Sequence, residues 1–305
     1  MTKDKIKKIA VIGDVHYLWN DYDVQALKFL DVDLVLFVGD FGNEALSVVE
    51  KIAEVDLPKA IVMGNHDAWF SATPWGRKKT PYDRNEEDWV QQQLDLLGET
   101  HVGYGYLDFD ELEISVVGSR PFSWGGSKWW CEEFYQQRYG VTSFAESTEK
   151  IIEAVKQTKY DNIIFIGHNG PVGLGDKAED TCGRDWQPLG GDYGDPDFAE
   201  AIDLTRELGK QVSLVTFGHM HHPLRHTKKR LRTIINRDDR HDTIYLNAAA
   251  TPRIEDISGN NLHKFSIVEL TNDGIINVEL ITIDEKMEIH NKQDLWKRSQ
   301  SGLLI

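Results

Sequence analysis

The string IAVIGDVH at residues 9–16 decides the fold: a continuous apolar run ends abruptly in glycine, an acid and a histidine. Apolar runs without polar alternation mark strands buried on both faces. The same pattern returns in LVLFVGD at 34–40, AIVMGNHD at 60–67, NIIFIGH at 162–168 and VSLVTFGHMH at 212–221. Between the first two runs, Val24, Leu27, Phe29 and Leu30 are spaced for a short amphipathic helix. The segment 44–55 repeats that spacing with Leu46, Val49, Ile52, Ala53 and Val55. This β-α-β-α-β order predicts an α/β fold with a mostly parallel sheet and helices packed on it. Further along, a helix is expected over 197–208. Antiparallel strands are expected at 243–246, 264–270 and 275–283, the last two joined by a turn at Asn272-Asp273-Gly274.

The polar residues sit just past the buried runs. Asp14 and His16, Asp40, Asn65, His168, and His219 and His221 each follow a glycine at a strand end. In open α/β sheets, ligands bind beyond the carboxyl ends of the strands, so these residues should share one rim. A glycine there permits a sharp turn and leaves room for crowded side chains. Any one of these strings occurs by chance; all five in order point to a metal site. Mixed imidazole, carboxylate and amide donors suit Mn²⁺, Fe or Zn²⁺ rather than Ca²⁺. Seven ligands exceed the needs of one such ion. A shared carboxylate would hold two ions about 3.5–4 Å apart, the spacing used for in-line displacement at phosphorus.

Composition narrows the alternatives. The 305 residues can bury a substantial core, and the 40% hydrophobic content is ordinary for a globular chain. No apolar run approaches the roughly 20 residues of a membrane span. The net charge of −16 disfavours nucleic acid and anionic membranes as general partners. The one basic cluster, Lys228, Lys229, Arg230 and Arg232, reads as a solvated loop. Two cysteines, Cys131 and Cys182, argue against a disulfide framework. A cleaved leader would remove the GDVH motif, so a cytoplasmic location is expected.

Taken together, GDVH, GD, GNHD, GH and GHMH resemble the calcineurin-like metallophosphoesterase superfamily, over residues 7–67 and 160–250. The resemblance implies a four-layer α/β/β/α sandwich of two mixed β-sheets flanked by helices, with a binuclear centre at its edge. It implies that Asp14, His16 and His221 hold one metal, that Asn65, His168 and His219 hold the other, and that Asp40 bridges them. Two divalent transition-metal ions are the expected cofactors, Mn²⁺ foremost. They would activate a bridging water for attack on phosphorus. His66 would act as general acid for the leaving alkoxide or stabilise the phosphoryl oxygens. Asp67 either orients His66 through a ring N–H or caps the following turn. Asp67 stands where the Ser/Thr protein phosphatase branch has Glu, and GDFGN lacks that branch's Asp-Arg-Gly. The pattern is closer to phosphodiesterases and small-molecule phosphatases. The Trp-rich segment and the loop after His168 resemble a group from cyanobacteria and plant chloroplasts, and for a plant member the location would be the chloroplast stroma.

Substrate residues are sought in the loops. Arg120, after the strand expected at 113–117, could clamp a phosphate bidentately or make a surface salt bridge. Arg184 lies in the stretch 170–196, which holds seven glycines; loops so long are usually functional. Cys182 reads as a packed thiol, Asp192 as a turn residue, and Asp195 as the cap of the helix begun by Pro196. Residues 68–140 hold six of the nine tryptophans. They read as a lid-like insertion in a single domain spanning 1–305, or as a stacking platform for a flat group. The expected substrate is a small-molecule phosphoester. A non-catalytic scaffold that keeps the ligands, and a protein phosphatase, are the competing readings.

Overall fold

The computed structural model describes residues 6–299. Strands β1 (Lys7–Ile12), β2 (Leu34–Phe37) and β3 (Lys59–Ile61) run parallel, as the buried runs require. The chain next builds β4 (Tyr106–Phe109), β5 (Ile114–Gly118), β6 (Asn162–Ile166), β7 (Gln211–Phe217), β8 (Ile235–Asp238) and β9 (Thr243–Asn247). These form a second sheet in the order β4-β5-β6-β7-β9-β8, with β5, β6, β7 and β9 parallel. Then β10 (Ile254–Ile257), β11 (Asn260–Thr271), β12 (Gly274–Asp284) and β13 (Ile289–Lys297) return antiparallel to the first sheet. Its order is β13-β12-β11-β1-β2-β3, with β10 beside β11. The turn at residues 272–274 joins β11 to β12 as expected.

Strand pleating explains the layers. Side chains alternate between faces, so Ile9, Val11, Leu34 and Leu36 meet Ile164, Ile166, Leu214 and Leu246 between the two sheets. Their neighbours Ala10, Ile12, Val35 and Phe37 face outward onto Leu27, Val49 and Ile52 of the helices Asp21–Phe29 and Leu46–Ala53. On the far side, Phe165, Val215 and Val117 pack under Ile151, Val155 and Phe198 of the helices Phe144–Gln157 and Pro196–Glu207. Three apolar interfaces thus separate four layers, the α/β/β/α sandwich expected above.

Within 68–140, β4 and β5 are strands of the second sheet, and Leu112, Ile114 and Val116 sit in the inter-sheet core. From the rest of that stretch, Trp69 and Trp124 line the cleft at the rim. Among the described residues, no helix is long and apolar enough to cross a membrane.

Candidate metal centre

The parallel strands of both sheets end at one edge, and the seven expected ligands converge there. His221 Nε2 lies 3.1 Å from Asp14 Oδ1 and 3.2 Å from His16 Nε2. In a second group, Asn65 Oδ1 lies 3.0 Å from His168 Nε2 and 2.9 Å from His219 Nδ1, with the two ring nitrogens 3.2 Å apart. Asp40 stands between the groups, with Oδ1 3.2 Å from His168 Nε2 and Oδ2 3.9 Å from His16 Nε2. Asp14, Asp40, Asn65 and His168 are buried, whereas His16, His219 and His221 are half-buried, and the last two line the cleft.

The backbone is bent to achieve this. Asp14, His16, Asp40 and His219 all take positive φ, between 45° and 64°. L-residues adopt that region at a cost, and such strain gathers at functional sites. Two glycines are required by crowding. A Cβ at Gly64 would stand 2.3 Å from Asp40 Oδ1, and one at Gly218 would stand 2.3 Å from Asp14 Oδ2.

The donor set fits divalent cations. His168 Nδ1 donates to the Val38 carbonyl at 2.8 Å, so Nε2 is the ring atom turned to Asn65 Oδ1 and Asp40 Oδ1. With a cation among them, these nitrogen and oxygen atoms would turn their lone pairs to it instead of to one another. Asp14 Oδ1 is buried with the His221 ring nitrogen, 3.1 Å away, beside it. Burial would raise the Asp14 and Asp40 pKa values, but the surrounding histidines, His221 for Asp14 and His168 for Asp40 above all, hold both below the usual carboxylate range. Burial and then His168 press His219 down to about 3, which leaves its ring free to ligate at neutral pH.

His66 sits at the edge of the centre, its Nε2 4.0 Å from Asp40 Oδ2. The ring is held by Asn43 Oδ1, 2.6 Å from Nδ1, and by a parallel stack on Trp69 at 4.7 Å. Burial lowers its pKa. Asn43 is one of the partners the sequence reading missed; its only signal was the GDFGN string.

Four expectations for neighbouring residues are corrected. Asp67 does not touch the His66 ring: its carboxylate accepts the amides of Asp40, Phe41 and Gly64 at 2.9, 2.8 and 2.7 Å. It pins the Asp40 turn to the Asn65 turn. Arg120 is no phosphate clamp: it is buried against Asp197 at 2.8 Å and Asp195 at 2.9 Å, beneath the rings of Trp129 and Phe144. Asp195 does precede the helix begun by Pro196, but its carboxylate is drawn to Arg120 and Ser123 and makes no capping bond. Burial raises that carboxyl to about 6. Arg184 lies outside the cleft and closes a turn of its own loop through Gly190 O at 3.0 Å.

Asp192 does serve a turn, accepting the amides of Gly173 and Gly194. Cys182 is a fully buried thiol whose pKa burial pushes up.

The cleft instead presents Arg225 and Arg232. Arg232, expected in a solvated loop, is buried: it donates to the carbonyls of His221, Asp180 and Gly183 and pairs with Asp185 at 3.3 Å. It fastens the glycine-rich loop to the strand end that carries His219 and His221.

A family model described as calcineurin-like phosphoesterase matches residues 7–223. Similar solved structures include TT1561 of Thermus thermophilus, 11% identical with a TM-score of 0.47, covering 96% of this chain and 100% of that one. A metallophosphoesterase from Sphaerobacter thermophilus is 14% identical with a TM-score of 0.34, covering 96% and 90%. A novel archaeal phosphodiesterase is 13% identical with a TM-score of 0.34, covering 94% and 99%. No curated protein matches in sequence. With the family match spanning both halves of the metal-ligand pattern, the chain belongs to the calcineurin-like phosphoesterases and is a metal-dependent phosphoester hydrolase.

Proposed function

We propose that the seven residues hold two divalent ions, Mn²⁺ foremost, and that the protein hydrolyses a small-molecule phosphomonoester or phosphodiester. The observation that carries this reading is the position of Asp40, whose two oxygens face two separate ligand groups. Ions held there supply Lewis acidity and a nucleophilic water of lowered pKa. The chain's own residues do the rest. Val38 O fixes the His168 tautomer, and Asp67 fixes the turn that presents Asp40. Asn43 accepts from His66 Nδ1–H, so Nε2 is the ring atom that faces the centre. Only the doubly protonated ring would carry there a proton for the departing oxygen, while the neutral ring would leave Nε2 as an acceptor beside the phosphoryl group. Trp69 keeps that ring from rotating.

The test is to assay Mn²⁺-loaded protein on p-nitrophenyl phosphate, bis-p-nitrophenyl phosphate and a phosphopeptide panel. Hydrolysis of the small esters and not the peptides is expected. His66→Ala should lower kcat by about 10²–10⁴-fold with both ions still bound. Inactivity on every ester with both ions present would favour the scaffold reading, and unchanged turnover in the variant would remove His66 from its role.

A further inference from the structure

We infer that the cleft above the metal centre selects phosphoesters that carry a planar ring, a reading that rests on the hydrolytic function just proposed. The cleft is about 290 Å³, at the lower end of the ~300–1,000 Å³ typical of ligand pockets. Its floor is made by metal ligands, including Asp40 and His219, so a substrate phosphorus at the centre places its organic part in this space. That space is bounded by aromatic groups. Trp69 and Trp124 stack on each other at 5.6 Å and 24° and continue the column begun by His66. Trp186 and Tyr193 meet edge to face at 4.8 Å. All four line the same cleft and stay half-buried, unlike the core indole of Trp19 at 5% exposure. Trp69 gives its faces to His66 and Trp124, yet each of the four rings keeps part of its surface in the cleft.

The indoles come from distant parts of the chain and are each held in place. Trp124 precedes Gly125 and Gly126, where an added Cβ would run into Tyr193 at 2.9 Å or less. The Arg225 guanidinium lies over Trp186 at 5.3 Å, and among the described residues no carboxylate pairs with it. Nearby Arg230 and Arg232, by contrast, have Glu179 and Asp185. A flat ring seats on preset indole faces at little entropic cost, and a free guanidinium beside it meets the ester's negative charge. An aliphatic ester gains only the second contact.

The probes are adenosine 5′-monophosphate and ribose 5-phosphate, which carries a hydroxyl at C1 in place of the ring system. They are titrated into metal-loaded wild type, Trp124→Ala, Trp186→Ala and Trp186→Phe by calorimetry and by quenching of tryptophan emission. Wild type is expected to favour the ring-bearing probe by about tenfold or more. Either alanine variant should cut that ratio about tenfold, and Trp186→Phe should keep most of it. Equal affinity for the two probes in wild type, or a ratio unmoved in both alanine variants, overturns the inference. An alanine variant that loses its metal is read through Trp186→Phe, whose retention of the ratio supports the stacking role and whose loss of it counts against that role. Ring preference without hydrolysis of any ester sinks the hydrolytic reading alone, and hydrolysis without ring preference sinks this inference alone.

Discussion

Replacing Asp67 separates a structural carboxylate from a catalytic one. Its oxygens accept three backbone amides, from Asp40, Phe41 and Gly64, in a fully buried position. Hydrogen bonds to a charged group contribute about 1.5–3 kcal/mol each, so the three together amount to about 5–9 kcal/mol before opposing effects. Burial, and then the Asp40 charge, push the Asp67 carboxyl well above the usual range, which offsets part of that gain. A net loss of about 3–5 kcal/mol is expected for Asp67→Ala, the range for breaking a buried charged network. That is a large share of the ~5–15 kcal/mol that holds a typical domain together. Asp67→Asn keeps one accepting oxygen and removes the repulsion with Asp40, so it should lose roughly half as much. Because the Asp40 turn loosens, Mn²⁺ affinity should also weaken by about 10–100-fold. Urea unfolding of metal-free protein and calorimetric Mn²⁺ titration measure both. An Asp67→Asn protein with native stability and native Mn²⁺ affinity but a collapsed kcat would refute the reasoning and return Asp67 to His66.

Arg120→Met should leave Asp195 and Asp197 buried without their cation and lower unfolding stability by about 3–5 kcal/mol. Its KM should stay at the wild-type value; a raised KM at native stability would restore the phosphate clamp. His222 is buried and bonded to Asn247 O at 2.9 Å, and burial, against that bond, holds its pKa down to about 4 from 6.5. The unfolded chain therefore takes up a proton that the folded chain refuses. Stability from this group is full above pH 6.5 and is lost as pH falls toward 4, by on the order of 3 kcal/mol. An NMR titration of the His222 ring with a midpoint near the free value would contradict this.

Five strand ends were legible because a strand buried on both faces has no polar alternation, and the ligands follow each run directly. The helix Phe144–Gln157 went unread although its signs are present: Ser143 caps the Glu146 amide, and Ile151, Ile152 and Val155 mark one face. The half-buried strands β4 and β8 and the exposed edge strand β13 lack the apolar run that betrays a core strand. Arginines were the weakest point. Nothing local to Arg120 announces Asp195 and Asp197, which meet it only because β5 and β6 pair. Arg232 looked like its solvated neighbours for the same reason, since the carbonyls that bury it come from residues 178–183 and His221. Sequence marks where chemistry leaves a strand; long-range packing decides which loop cation remains free to meet a substrate.

The account stands most directly on the number and place of bound metals. Anomalous scattering from crystals grown with Mn²⁺ should show two peaks about 3.5–4 Å apart, flanking the Asp40 carboxylate. One peak would belong with Asp14, His16 and His221, the other with Asn65, His168 and His219. A single peak, or density confined to the group of Asp284, Glu288 and His290 at the β12–β13 turn, would contradict the binuclear centre.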